Sequence, residues 1–160
     1  MARPAAAETH PSGDVRLQLG IEHCRVGNWD AGLAILTAVF AERTPTGSAD
    51  AAIAASYLGY ASALRRKAVA DGLALCQQVA EREFYQPEVH YNYARTLVLA
   101  GHKARAVRSL DRALAIDPTF AQAFHLRCEL GERRKPVVPF LGRRHVLNRV
   151  LGRLRAAWSG

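Results

Sequence analysis

Residues 87–120 read PEVHYNYARTLVLAGHKARAVRSLDRALAIDPTF, and this stretch decides the fold. Tyr91, Ala94, Thr96, Leu97, Val98 and Ala100 put apolar or small groups on most faces of a first helix, which implies burial on two sides. Gly101 ends that helix, because glycine takes the left-handed closing conformation without a Cβ penalty. After His102, the residues Ala106, Val107, Leu110, Ala113, Leu114 and Ile116 recur at three- and four-residue steps, an amphipathic helical period. Asp117-Pro118 closes the second helix, since proline pushes its predecessor out of helical geometry. Neither helix buries its apolar face alone, so the unit must stack on others like it.

At this spacing the stretch resembles one tetratricopeptide repeat, a 34-residue helix–turn–helix unit. Asn92 and Tyr93 stand where that family often has asparagine and leucine. Ala94 holds the small place where the first helix packs closest on the second. Gly101 is the turn glycine, Ala106 and Ala113 hold the small places of the second helix, and Leu110 holds the large apolar place between them. Pro118 is the closing proline. The aromatic usual before the second helix is replaced by Lys103.

Working outward, the N-terminal side holds two weaker copies. Residues 13–46 form the first. Val15, Leu17, Leu19, Ile21 and Val26 mark one helix, Gly27-Asn28 a turn, and Leu33, Leu36, Val39 and Phe40 the next helix. Gly20, Gly27, Gly32 and Val39 fall at small or apolar places of the repeat, and Trp29 falls at the place of the usual aromatic. Residues 43–50, RTPTGSAD, read as a polar loop longer than a tight inter-repeat turn. The second copy covers residues 52–86, with a first helix over 51–64 and a second over 71–81. Gly59 holds its close-packing place. Asp71-Gly72-Leu73-Ala74-Leu75 echoes Ala31-Gly32-Leu33-Ala34-Ile35, a repeat visible within the chain itself. Its turn, residues 65–70, has no glycine and carries Arg65, Arg66 and Lys67 as a small basic rim.

On the C-terminal side, Thr119 is positioned to cap a further helix over 119–134, the lone extra helix that covers the open end of a stack. Pro136 and Pro139 then enforce an extended linker. Within residues 136–160, a last helix is expected over 142–158. Leu147, Val150, Leu151, Leu154 and Trp158 recur at helical steps, while Arg143, Arg144, Arg149, Arg153 and Arg155 lie mostly on the other side. This is a basic amphipathic helix. It has three readings: packing on the repeats, docking on a partner or a second copy, or lying on an anionic membrane or nucleic acid.

Charge follows the same division. The chain has 160 residues and a formal charge of +8. Residues 1–130 carry 14 Lys/Arg and 13 Asp/Glu, so +1; residues 131–160 carry 8 Lys/Arg and 1 Asp/Glu, so +7. Cys24, Cys76 and Cys128 are scattered, with no CxxC pair, and are expected to be reduced core thiols. No stretch reaches the roughly 18 apolar residues of a membrane span. Residues 1–12 lack the apolar run of a secretory signal and are expected to form a disordered lead. The expected compartment is the cytoplasm, with a membrane-peripheral position as the second reading.

The resemblance implies an all-α helical-hairpin solenoid of bacterial type, with three repeats and a cap over 13–135. It also implies a concave groove lined by the first helix of each repeat. By position, the groove residues are Leu17, Ile21 and Cys24; Ile53, Ser56, Tyr60 and Leu64; and Glu88, Tyr91, Arg95, Val98 and Leu99. Such a groove suits an extended or helical peptide, with Tyr60 and Tyr91 as its anchors. Some family members grip a peptide's terminal carboxylate with a lysine–asparagine clamp. Here those places hold Asp14, Ile53 and Glu88, then Ile21, Tyr60 and Arg95, so binding of that kind is not expected. The six histidines are scattered, and no HExxH, GxSxG or phosphate loop is present. The expectation is therefore a non-enzymatic adaptor with no metal or cofactor that binds a protein or peptide. A secretion-type chaperone and a membrane or nucleic-acid binder are the alternatives, and a homo-oligomer remains open.

Overall fold

The computed structural model of the chain describes residues 13–42 and 47–131. The expected lead over 1–12 and the linker and basic helix over 136–160 lie outside them; the helix expected over 119–134 stops early, at Glu129, where Leu130 is its C-cap and Gly131 takes φ 72°. Among the described residues there are seven helices: α1 (Gly13–Arg25), α2 (Trp29–Glu42), α3 (Ala49–Arg65), α4 (Val69–Arg82), α5 (Pro87–Leu99), α6 (Lys103–Ile116) and α7 (Ala121–Glu129). They pack as sequential antiparallel pairs, α1 on α2, α3 on α4 and α5 on α6, with α7 against α6. The first helices of the pairs also pack in series, α1 on α3 and α3 on α5. The second helices follow, α2 reaching α3 and α4 reaching α5.

Turn chemistry explains the helix ends. Gly27 and Gly101 have φ of 81° and 76°, the left-handed region that glycine enters freely. Each turn closes in the same way. Asn28 N–H donates to His23 O and His102 N–H donates to Leu97 O, both at 2.8 Å, the six-to-one bond of a Schellman motif. The α3–α4 turn has no glycine, and Lys67 takes φ 56° in its place, at a steric cost of about 1–2 kcal/mol. Boundaries differ from the expectation at three helix starts. Helix α4 begins at Val69, inside the turn expected over 65–70. Ser48 caps α3 by accepting from Ala51 N–H, so Ala49 and Asp50 join the helix and shorten the loop. Thr119 does not cap α7. Its hydroxyl and its N–H both donate to Asp117 Oδ1, and the helix begins after Phe120.

The pairs approach closely because their contact positions are nearly side-chain-free. A Cβ at Gly72 would come 2.3 Å from Gly59 O, and one at Gly59 would come 2.7 Å from Cys76 Sγ. In the first pair, a Cβ at Gly32 would come 2.4 Å from Cys24 Sγ. The third pair puts Ala94 and Ala106, both fully buried, at these places. Helix α3 packs against α1, α2, α4 and α5, so its alanine-rich run is buried all round, from Ala51 to Tyr57 and on to Ala63. Cys24 and Cys76 are buried, and burial pushes both thiols up to about 11, which keeps them protonated at neutral pH. Cys128 differs from the expectation, because the outer face of α7 leaves it exposed.

Two substitutions test this account by urea denaturation of the full chain. Gly72→Ala sets a methyl against a backbone carbonyl that cannot yield, and should cost about 1–3 kcal/mol. Lys67→Gly should stabilise by up to about 1 kcal/mol, the relieved left-handed strain less the extra freedom glycine gains when unfolded.

Candidate functional site

The series of first helices positions every groove residue expected from the sequence, but at two depths. Leu17, Ile21 and Cys24 on α1 are 0–2% exposed and belong to the core. Ile53 is buried in the same cluster. Ser56 is fully buried, with its hydroxyl donating to Ile53 O and accepting from Asn92 Nδ2 at 3.0 Å. These five residues support the groove from beneath and do not face it. The reason is that α1, α3 and α5 pack side by side, which covers these residues on neighbouring helices. Leu64 is half-buried and lies outside the depression described next.

Glu88 is also withdrawn from the surface. Its carboxylate accepts from Arg25 Nε at 2.9 Å, from Arg25 Nη2 at 2.7 Å, and from Tyr57 OH at 2.5 Å. Arg25 additionally donates to Glu22. One carboxylate thus joins the C-terminal end of α1, the middle of α3 and the first turn of α5. Its side chain is only 16% exposed. Burial pushes the Glu88 carboxyl up, but the hydrogen bonds from Arg25 and Tyr57 and the charge of Arg25 outweigh it, and the net direction is down. Burial and the same hydrogen bond hold the Tyr57 phenol above its ordinary range.

The remaining five expected residues, Tyr60, Tyr91, Arg95, Val98 and Leu99, come together in one depression of about 360 Å³. Its other wall is α7, through Gln122, His125, Leu126 and Glu129. The sequence reading missed these four. Their spacing of three, one and three residues marks one face of a helix, which is the signal that points to them. Val98 and Leu99 are 37% and 41% exposed, so the floor meets solvent as apolar surface. Tyr91 packs edge-on against Phe120 at 5.3 Å, and burial raises its phenol.

Arg95 lies at the centre of an aromatic cradle. Its guanidinium carbon is 3.7 Å from the Tyr60 ring centroid, 4.8 Å from that of Trp29 and 5.2 Å from that of Tyr91. Tyr60 itself is held edge-on by Trp29 at 5.2 Å. Behind the guanidinium, Asn92 Oδ1 accepts from Nη1 at 3.3 Å. The Asn92 amide reaches Ser56, and Thr96 donates to Asn92 O and meets Cys76 Sγ. A buried polar chain therefore fixes the helix that carries Arg95.

Among the described residues, no group of three or more His, Cys, Asp or Glu is placed to hold a metal ion. Nor is any described helix long and apolar enough to cross a membrane. The basic helix residues Arg143, Arg144, Leu147, Arg149, Val150, Leu151, Arg153, Leu154, Arg155 and Trp158 lie outside the described residues.

The Glu88 link has a defined pH signature. A carboxyl held below its unfolded value contributes stability above that value, about 4.5, and loses it as pH falls through the folded one. Glu88→Gln should cost about 1–3 kcal/mol at neutral pH. The gap between wild type and variant in urea denaturation should stay constant above about pH 5.5 and shrink as pH falls below about 4.5.

No protein-family model and no curated protein matches the chain. The likeness of residues 87–120 to a known repeat therefore remains one of sequence pattern, and the site is read from its own geometry.

Proposed function

We propose that the chain is a three-repeat, tetratricopeptide-type array capped by α7, and that it works as a non-enzymatic adaptor binding a segment of another protein. Three features support the repeat reading. The hairpins pack first helix on first helix. Two turns close by the same bond pattern 74 residues apart, with Gly27 and Gly101 at matching places. Small residues recur at each inter-helix contact. The binding reading rests above all on one observation: a 360 Å³ depression with exposed apolar floor, walled by rigid aromatic residues on helices. Apolar anchors with a few hydrogen-bonding groups suit a peptide or helix. Half-buried Tyr91 offers contact area at little entropic cost, whereas Tyr60, 8% exposed, supports Arg95 rather than presenting a large face of its own.

The charge of +7 over residues 131–160 supports a second reading, attachment to an anionic membrane or nucleic acid through the basic helix. That attachment weakens steeply with salt, whereas an apolar groove contact does not.

The test is capture of partners from nuclease-treated source lysate by the full chain. Val98→Gln/Leu99→Gln removes the apolar floor at exposed positions and should lower affinity for the captured protein at least about tenfold. Replacing Arg149, Arg153 and Arg155 by Gln should leave that affinity nearly unchanged. The reverse pattern would transfer the function to the C-terminal segment.

A further inference from the structure

Arg95 makes no ion pair among the described residues, although it is half-buried. Several other arginines of the packed helices donate to acids or to polar side chains. Arg25 gives its donors to Glu88 and Glu22, Arg65 to Asp30, and Arg16 to Glu42. Arg105 donates to Gln77 Oε1 and to Tyr93 OH. Arg95 is half-buried, yet its one hydrogen bond is a long contact to Asn92. A guanidinium has five N–H donors in a planar fork. Tyr60, Trp29 and Tyr91 surround the guanidinium carbon at 3.7, 4.8 and 5.2 Å, and cation–π contact of this kind uses none of its N–H donors as a hydrogen bond. The rings also fix the plane, so a ligand meets a cation whose rotamer freedom has already been lost.

We infer that Arg95 reads a carboxylate: the side chain of an aspartate or glutamate within the partner segment, next to an apolar residue seated on Val98, Leu99 and Leu126. This rests on the adaptor reading above. Charge complementarity selects the ligand class. Among the described residues, Arg95 is the single Lys or Arg lining the depression, and Glu129 stands on the facing wall. One planar monoanion fills the fork with a single charge, whereas a dianionic phosphate carries twice the charge against Glu129 and is repelled more strongly. A chain terminus is not favoured, because the places of the lysine–asparagine clamp hold Ile53 and the already saturated Glu88. The groove as described grips one carboxylate through one fork, and its depth comes from aromatic stacking.

The experiment is selection of a displayed random-peptide library on the immobilised full chain, followed by fluorescence anisotropy with synthetic versions of the selected peptides. Salt is kept at about 0.15 M, where the Debye length of about 8 Å limits the pull of the basic C-terminal segment. Selected peptides should carry Asp or Glu beside an apolar residue. Changing that acid to its amide should weaken binding to wild type roughly ten- to a hundredfold. The same change should have less than about a twofold effect on Arg95→Gln. Amidating the peptide C-terminus should change nothing. The acid-to-amide arm alters only the peptide, so it decides the matter even if Arg95→Gln folds poorly. If Val98→Gln/Leu99→Gln abolishes binding but the acid is dispensable, the carboxylate inference falls and the adaptor reading stands. Dependence on a free C-terminus overturns the inference as well. If no selected peptide depends on Val98 and Leu99, both readings fall.

Discussion

The close approach of the two helices in each hairpin is the constraint on which this fold depends. Between α3 and α4 the contact is backbone on backbone, since Gly59 and Gly72 leave each other's carbonyls within reach of where a Cβ would be. At that spacing there is no room for a side chain, but there is room for a thiol alongside, and Cys24 and Cys76 fill it. Tight hairpins then present flat flanks. The first helices can lie side by side, and α3 is buried on most of its surface, mainly through alanines with Ile53, Tyr57 and Tyr60 among them. Everything that positions the candidate groove follows from that serial packing.

Burying helices in series creates a second requirement, which is that their polar groups be satisfied internally. The structure meets it with a chain running from Ser56 through Asn92 and Thr96 to Cys76, linking α3, α4 and α5. It also meets it with Glu88, whose two oxygens take three donors from α1 and α3. These links have a functional consequence. Glu88 neutralises Arg25 and drops out of the recognition surface, while Arg95, two turns along the same face of α5, makes no ion pair among the described residues. The electrostatic character of the depression is thus set by which arginine found a carboxylate inside the fold.

Much of this was legible in particular residues. Gly101 and Asp117-Pro118 bracket α6 because turn geometry is local, and the three- and four-residue steps of Ala106, Leu110 and Ala113 mark its buried face. The groove face was legible only by register, and register does not measure depth. Leu17, Ile21 and Ser56 share helical phase with residues that reach the surface, yet they lie under a neighbouring helix. Phase specifies a direction from the helix axis, whereas exposure depends on what another segment places there. The wall supplied by α7 went unread for the same reason: the spacing of Gln122, His125, Leu126 and Glu129 marks a face without saying what it faces.

The sequence by itself determined the all-helical class, the hairpin order, the turns at Gly27 and Gly101 and the small residues of the inter-helix contacts. Those features depend on side-chain size and backbone freedom within a few residues. Tertiary structure alone decided that Arg25 and Tyr57 would claim Glu88, across separations of 63 and 31 residues. It likewise decided that Tyr60 and Trp29 would enclose Arg95. Such contacts exist only after the helices have docked, because no local preference brings together groups that distant along the chain.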